Sequence, residues 1–325
     1  MKNFFFIILF LISVTFDISA KSIMFQSENY YGTVAYNDSV TTGDAIFARM
    51  NIKLLKNNKK KSVSEPEAVL QLLKNDKKVE TARFYFINQK SKRYSNPEML
   101  CGIPVSLHLK GESGYSLKII LTTGINGETE KEIILPVTIL PFDINDKIIQ
   151  DTNNPEIFQN MNSQRLAQTE RLNSILETIS TTNIFSLKPF ILPLNEKESS
   201  VNFGSKTIYN DELKSSYIHY GNDYNVSDGA DIFSCADGKV VLAEFRTKTG
   251  WSVVIEHLPG LYSLYYHLSV LNVKEGISIK QGEKIGLSGA TGLATAPHFH
   301  WEIRLNNAAV RPDFFLQDFA FTETE

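Results

Sequence analysis

The chain has 325 residues, of which 42% are hydrophobic and 21% charged, the ordinary balance of a globular protein long enough for two domains. Its formal net charge is −3 and its pI is near 6.1, so bulk charge argues against nucleic acid as a partner. Its two cysteines, Cys101 and Cys235, exclude a zinc site built on cysteine pairs. They fall in different predicted domains, so we expect no disulfide between them.

The first twenty residues have the pattern of a secretory signal peptide. Lys2 precedes an uncharged, mostly apolar stretch from Asn3 to Phe16, and small residues follow at Ser19 and Ala20. The stretch is shorter than the roughly 20 residues of a membrane-spanning helix, so we expect cleavage after Ala20, with an uncleaved N-terminal anchor as the alternative. No later segment is long and apolar enough to span. We therefore expect a mature protein without a transmembrane span in the periplasm, the cell envelope or the extracellular medium.

Residues 21–145 carry the alternation of β-strands and predict a β-sandwich of the immunoglobulin kind. In "AIFARMNIKLL" every second residue is apolar, and "RFYFI", "PVSLHLK", "YSLKIILTT" and "EIILPVTIL" follow with polar turns between them. His108 falls on the polar side of the "PVSLHLK" alternation, which predicts a solvated strand residue.

A basic stretch from Lys53 to Arg93 holds twelve Lys or Arg against four Asp or Glu. A solvated face is the simpler interpretation of this stretch. Contact with an anionic envelope polymer or membrane surface is the alternative.

Residues 146–187 are predicted to form a linker that contains a helix. In "NSQRLAQTERLNSILETIS" the apolar residues recur at helix-like spacings; they are Leu166, Leu172, Leu176 and Ile179. Residues 188–318 form the next predicted domain, built of strands separated by Gly-rich turns, and residues 319–325 form a C-terminal tail. No internal repeat is present, which argues against solenoid and propeller folds.

Four of the six histidines lie in three short segments of this last domain: "HYGNDY", "SLYYHLSVL" and "PHFHWEIR". Gly221 and Asn222 between His219 and Asp223 favour a turn that aims both side chains at one point. His298 and His300 share one face of a predicted strand because side chains alternate with period two. Imidazole and carboxylate are good zinc ligands, and three protein ligands leave the open position that a catalytic zinc requires.

These segments resemble the lysostaphin-type zinc endopeptidases, also called LytM domains. The matching motifs are "HYGND", "YYHLS" and "APHFHWEIR", accompanied by "ADGKV", "GWSVVIEH", "VKEGISIKQGEKIGLSGATG" and "RPDFFL". Together they cover roughly residues 200 to 316 in the family's order. Ala296 stands where the family often has Gly, and Phe299 stands where Leu is usual.

The resemblance implies an antiparallel β domain with His219, Asp223 and His300 as zinc ligands and with His267 and His298 as catalytic histidines. It implies that a zinc-bound water attacks the scissile carbonyl, with the two histidines serving as base and oxyanion stabiliser. The implied function is a secreted endopeptidase that hydrolyses peptide bonds in bacterial peptidoglycan. His257, which follows "WSVVIE", is interpreted as structural or as a rim residue outside the site.

Two rival functions are considered. "VKEGISIKQGEKIGLSGATG" also resembles biotinyl and lipoyl carrier domains, but the chain lacks the Met-Lys-Met tip of such carriers. The second rival is a non-catalytic or self-occluded LytM protein that binds the cell wall or activates another hydrolase. Degenerate members usually lose ligands, whereas all five positions are filled here.

Overall fold

The structure is a computed structural model that describes residues 20–26, 30–54, 65–88, 96–123, 129–142, 149–151, 162–195, 199–209 and 216–322. Within these ranges the chain is mainly β, with a single α-helix. The predicted signal segment up to residue 19 and much of the basic stretch lie outside the described residues. No described helix is long and apolar enough to cross a membrane.

The N-terminal part forms two antiparallel sheets that share one hydrophobic core. Its strands are β1 Ala20–Gln26, β2 Tyr30–Asn37, β3 Ser39–Thr41, β4 Ala45–Leu54, β5 Glu67–Lys74, β6 Lys77–Arg83, β7 Tyr85–Phe86, β8 Glu98–Pro104, β9 Tyr115–Thr123, β10 Thr129–Pro136 and β11 Thr138–Leu140. One sheet has the order β1-β2-β4-β8-β7 and the other β10-β9-β5-β6, while β3 and β11 pair in parallel. The alternation predicted along β4 is confirmed, because Ile46, Ala48, Met50 and Ile52 are buried. The immunoglobulin type of the sandwich stays a prediction.

The strand predicted for "PVSLHLK" is wrong after its first residue. Strand β8 ends at Pro104, and residues 107–109 form a turn. Ser106 stabilises this turn: its hydroxyl accepts from the backbone N–H of His108 and its carbonyl accepts from that of Leu109. Serine favours such local bonds over a strand ladder. His108 is exposed, as predicted, but it lies on a turn.

The C-terminal part is built on a seven-stranded antiparallel sheet. The elements after β11 are β12 Ile149–Asp151, β13 Lys206–Tyr209, β14 Ser216–Ile218, β15 Gly221–Tyr224, β16 Asp231–Phe233, β17 Gly238–Arg246, β18 Gly250–Leu258, β19 Leu261–Leu268, β20 Val270–Leu271, β21 Ser278–Ile279, β22 Lys284–Leu287, β23 Phe299–Leu305, β24 Ala308–Val310 and a 3-10 helix Pro312–Leu316. The order is β15-β23-β19-β18-β17-β21, and β24 pairs with the last three residues of β23, beyond those that pair with β15. Phe299, Trp301 and Ile303 lie on one face of β23, and this face is buried in the main core. The intervening residues of β23 therefore lie on the opposite face.

The single α-helix, α1 (Ser163–Leu176), packs on that opposite face. Leu172, Ile175 and Leu176 contact apolar side chains of three strands; these are Leu242, Val254, Tyr262, Leu264 and Tyr266. The helix predicted between residues 146 and 187 is present, but Leu166 and Ile179 are exposed, so two of the four predicted apolar positions are not on its buried face. The helix ends before Ile179, and the face that packs follows the i, i+3, i+4 spacing of Leu172, Ile175 and Leu176.

The two parts of the chain are joined by a continuous apolar contact. Phe47 on β4 lies with its ring centroid 4.9 Å from that of Phe319 and 6.4 Å from that of Phe314. At the edge of this contact, Arg311 donates from Nε to Asp44 at 2.7 Å. The outer face of the five-stranded sheet is thus partly buried by the C-terminal part. The predicted domain bounds stay predictions.

The two cysteines are free and buried, which agrees with the prediction that they form no disulfide. Cys101 lies on β8. Cys235 lies in the bend between β16 and β17 and not within a strand. Burial raises the pKa of the Cys235 thiol to about 12, so it is protonated and packs as a small apolar group.

Candidate metal centre

His219 and Asp223 do not lie on a turn, in contrast to the prediction from Gly221 and Asn222. Residues 221–224 are strand β15, and Asp223 pairs directly with His300 on β23. The backbone N–H of Asp223 also donates to Val201 on the other side, which keeps the segment extended. An extended chain brings His219 and Asp223 to one face because their separation is even.

The glycine in this segment leaves space for a side chain of the neighbouring strand. An ideal Cβ at Gly221 would lie 2.7 Å from Nε2 of His300 and 2.5 Å from the carbonyl oxygen of Trp301. Such distances are not tolerated, so only glycine at this position leaves room for the His300 ring beside β15. In the spacing His-x-Gly-x-Asp, the glycine therefore provides a position without a side chain, which the ring of His300 needs.

The three predicted metal ligands converge on one point. Oδ1 of Asp223 lies 3.2 Å from Nε2 of His219 and 2.7 Å from Nδ1 of His300. One ligand atom from each of the three residues can be chosen so that all lie within 4.8 Å of one another. The rings of His219 and His300 are perpendicular, with centroids 4.8 Å apart.

The donor set fits a zinc ion. Nε2 of His219 is buried and makes no hydrogen bond, although it lies beside the Asp223 carboxylate. A lone pair on the imidazole nitrogen and one on the carboxylate oxygen, both aimed at a common cation, would give such a short distance without hydrogen-bond geometry. Two imidazole nitrogens and one carboxylate oxygen are also the ligand types of three-ligand catalytic zinc sites.

Glu302 is a functional candidate that the sequence interpretation missed. It is buried, its Oε2 lies 3.4 Å from Nε2 of His300, and it is ion-paired with Arg304. A carboxylate on the second nitrogen of a ligating histidine fixes the ring and its tautomer. The signal was present in "HFHWEIR", because His300, Glu302 and Arg304 alternate on one strand face.

The three groups form a strongly coupled electrostatic unit. Burial alone would lower the pKa of His300, but hydrogen bonds to Asp223 and Glu302 and their charges outweigh it and raise this pKa to about 9. Burial alone would raise the pKa of Asp223, but the close approach of His219 and His300 holds the pKa well below the usual range. The Asp223 carboxylate is therefore ionised and available to a cation across the neutral range.

The two predicted catalytic histidines lie side by side, with ring centroids 4.6 Å apart. Nδ1 of His267 lies 2.8 Å from the carbonyl oxygen of Thr291, and Nδ1 of His298 lies 2.9 Å from that of Ala296. A carbonyl accepts only, so each Nδ1 carries the proton and donates. Each ring therefore keeps Nε2 for other partners. Burial lowers the pKa of His267 to about 4, and the neighbouring His298 adds to this effect.

His267 is held in place by an unusual backbone arrangement. Its φ angle is 61°, a left-handed conformation that is uncommon for a residue with a side chain, and its N–H donates to Thr249 at 2.8 Å. Thr291, whose carbonyl holds the ring, accepts from the N–H of Trp251 and donates to the carbonyl of Leu268. A Cβ at Gly250 would lie 2.0 Å from the Thr291 hydroxyl, so the close approach requires glycine.

Helix α1 forms one side of the candidate site. Tyr266 stacks on the His300 ring, with centroids 5.3 Å apart and planes 12° apart, and it also belongs to the apolar cluster under the helix. The helix lies outside the segment of LytM-like motifs, and no motif in it pointed to the site. Its contribution follows from tertiary packing alone.

His257 differs from these groups in its hydrogen-bond partners and in its burial. It is fully buried, with Nδ1 2.8 Å from the carbonyl oxygen of Asp237 and Nε2 2.7 Å from the hydroxyl of Ser263. Burial lowers its pKa to about 4. These contacts agree with the prediction that His257 is structural.

Comparison with known proteins adds the family. The model described as "Peptidase family M23" matches residues 217–312. The peptidoglycan DD-endopeptidase ShyB of Vibrio cholerae is 40% identical over 92 residues, which are 28% of this chain and 22% of that protein. The DD-carboxypeptidase/endopeptidase Mpg of Neisseria meningitidis is 38% identical over 95 residues, 29% of this chain and 22% of that protein. The match therefore spans about a fifth of the length of these curated relatives.

Among solved structures, the catalytic domain of the antimicrobial peptidase lysostaphin from Staphylococcus simulans aligns at 27% identity and a TM-score of 0.29. The alignment covers 44% of this chain and 96% of that one. The family match includes all five residues predicted for the site. Residues 217–312 of this chain are a domain of peptidase family M23, the LytM and lysostaphin type.

Proposed function

We propose that the protein is a zinc-dependent endopeptidase that hydrolyses peptide bonds in bacterial peptidoglycan. The observation that carries the proposal is the convergence of His219, Asp223 and His300 on one point beside two further histidines. The similarity to peptidoglycan endopeptidases supports the substrate class.

In this proposal His219, Asp223 and His300 would hold the zinc ion, and Glu302 would orient His300. Zinc, when bound, polarises a carbonyl oxygen and lowers the pKa of water. His267 and His298 present Nε2 to the substrate side, because each Nδ1 donates to a backbone carbonyl. One ring, neutral and unprotonated at Nε2, would accept a proton; the other would have to carry a proton on both ring nitrogens to donate a hydrogen bond to the oxygen on which negative charge develops.

The neighbouring residues keep this arrangement rigid. Gly221 leaves the gap for His300, Tyr266 stacks on that ring, and Thr291 fixes the orientation of His267. Rigid placement matters because a shift of about 1 Å at a reacting group lowers rates by about 10²-fold.

The test is digestion of purified sacculi by the zinc-loaded protein, with identification of the released muropeptides. Release of soluble cross-link peptides that stops on chelation and returns with zinc would support the proposal. The matched control is His300→Ala under the same conditions. Sacculus binding without any release, by protein with a full complement of zinc, would contradict hydrolysis and favour the non-catalytic or self-occluded alternative.

We also propose that the protein is exported and acts in the periplasm or elsewhere in the cell envelope. The support is the apolar N-terminal segment followed by Ser19 and Ala20, together with a substrate that lies outside the cytoplasm. N-terminal sequencing of the protein from fractionated cells should begin at Lys21. A cytoplasmic protein that retains Met1 would contradict export.

A further inference from the structure

Three basic side chains lie near one another at the N-terminal end of helix α1, on the sheet face that carries the candidate metal centre. They are Arg165 on the first turn of the helix, Arg246 at the end of β17, and Lys248 in the turn between β17 and β18. None of the three belongs to the predicted metal or catalytic set.

Arg246 is the most informative of them because it is buried without a carboxylate partner. Only 7% of its surface is exposed. Nη2 donates to the carbonyl of Gln168 at 3.1 Å, Nη1 lies 3.4 Å from the hydroxyl of Thr249, and Nε is buried without a hydrogen bond. No carboxylate of the described residues forms an ion pair with it. A buried guanidinium with neutral neighbours and an unused donor favours the binding of an anion.

Arg165 reaches the same place from the helix. It is also 7% exposed, and it lies one turn before Gln168, whose side chain accepts from the N–H of Thr247 at 3.0 Å. Residues three apart share a helix face, so Arg165 and Gln168 face the same strand end. The charges of Arg165 and Arg246 add to burial in lowering the pKa of Lys248, which places the three cations close together.

Lys248 connects the cluster to the candidate metal centre. Much of the Lys248 side chain is exposed, but its ammonium group is partly desolvated, and Nζ lies 5.2 Å from the ring centroid of Tyr217, two residues before His219. The described residues include no ion pair to Lys248. The nearest acidic influence is Glu302, which is already paired with Arg304 and His300. Arg246 and Lys248 therefore place positive charge beside the site that no ion pair of the described residues neutralises.

We propose that Arg246 and Lys248 form a carboxylate-binding subsite, so that the enzyme prefers cross-link peptides with a free carboxylate next to the scissile bond. The proposal rests on the proposed function. Guanidinium groups suit carboxylates because they donate two parallel hydrogen bonds. The carboxylate could belong to the side chain of a diamino acid or to the C-terminus of a stem peptide, and the substrates below distinguish these two sources. Because Arg246 donates to the carbonyl of Gln168 on helix α1, the subsite depends on an element outside the M23 segment.

The experiment uses the zinc-loaded full chain and three synthetic cross-link peptides. One has both carboxylates free, one has the diamino-acid carboxylate converted to the neutral amide, and one has the C-terminal carboxylate amidated. The wild-type protein should show a kcat/KM about 10-fold to 100-fold higher for the free form than for one of the two amides. The amide that is disfavoured identifies which carboxylate binds.

The variants test whether the cluster causes the preference. In Lys248→Met and Arg246→Met the ratio of free to amidated kcat/KM should fall towards one, whereas Arg246→Lys should retain part of it. Lys274→Met, at an exposed lysine in the turn after β20, should keep the wild-type ratio. If Arg246→Met does not fold, the exposed Lys248→Met decides the matter. Equal rates for all three peptides in the wild type, or an unchanged ratio in Lys248→Met, would overturn the proposal.

A binding measurement separates this proposal from the proposed function. Calorimetry with the zinc-loaded His298→Ala protein should give a Kd for the free peptide about 10-fold or more below that of the disfavoured amide. This preference without cleavage by the wild-type protein would refute the hydrolase and support the subsite. Cleavage of all peptides with equal Kd values would do the reverse.

Discussion

Two histidines of the same sheet, His257 on β18 and His300 on β23, are both buried, yet they have opposite electrostatic environments. His257 is bonded to a backbone carbonyl and a serine hydroxyl, and burial lowers its pKa to about 4. His300 lies between two carboxylates, which raise its pKa to about 9. The difference is that two carboxylates, one on the same strand and one on the neighbouring strand, lie against His300 of the candidate metal site, whereas none bonds to His257.

The two regions also differ in which sheet face they occupy. His257 lies with Cys235, Ser263 and Tyr265 in a closed hydrogen-bonded group of the core. His300 lies on the face that is shared with helix α1. A closed polar group stabilises one fold, whereas a group with an unbonded nitrogen, such as Nε2 of His219, can accept a ligand. The predictions below test this contrast, in order of decreasing effect on the metal centre.

The largest effect is expected from loss of a candidate ligand. Replacing His219, Asp223 or His300 by Ala should remove most of the bound zinc and reduce turnover to background, because two remaining ligands do not complete the site. Elemental analysis of the purified variants measures this. Zinc at the wild-type level in His300→Ala would show that the ligand assignment is wrong.

The next effect concerns the neighbouring histidines. His298→Ala and His267→Ala should keep zinc and fold stability but lose about 10²-fold or more in turnover, because each lacks a proton-transfer or oxyanion group. Zinc content and kcat are measured on the same preparations. The division of roles fails if His298→Ala loses zinc as readily as His300→Ala while His267→Ala remains fully active.

A smaller effect is expected at Glu302. Glu302→Gln should weaken zinc affinity by about 10-fold to 100-fold, because the neutral amide holds the His300 tautomer less strongly. Competition with a chromogenic chelator measures the affinity. Glu256→Gln is the matched control, since Glu256 is a buried carboxylate on β18 bonded to Asn183. Equal affinities in both variants would remove Glu302 from the site.

The smallest effect on the metal centre is expected at His257. His257→Gln should leave zinc content near the wild-type level at pH 7 but change acid stability. The folded pKa of His257, about 4, lies below its ordinary value of 6.5, so the unfolded chain takes up the proton first and stability is lost as pH falls from about 6.5 to about 4. The shift corresponds to roughly 3 kcal/mol, which the variant should no longer lose.

Urea unfolding of the metal-free proteins at pH 7 and pH 4.5 measures this loss, with exposed His108→Gln as the control. The wild-type protein and His108→Gln should lose more stability between the two pH values than His257→Gln. Identical losses in all three proteins would mean that His257 is not held neutral by burial.

Most of the candidate site could be predicted from the sequence because its residues lie in short segments of the chain. Even separations place His219 with Asp223 and His298 with His300, and each pattern survives whichever turn or strand it falls on. The same reasoning failed for the backbone of "HYGND", where Gly221 suggested a turn. Its glycine instead makes room for a ring from another strand, which no local propensity reveals.

The sequence by itself predicted a mainly β chain and, through its resemblance to the LytM motifs, five candidate site residues, because strand alternation and motif spacing depend on neighbours in the chain. Tertiary structure alone decided that Glu302 lies beside His300, that Phe47 packs on Phe314 and Phe319, and that helix α1 packs on Tyr266. These contacts join residues far apart in the chain. Their energies come from burial and charge in the folded state, which composition and spacing do not contain.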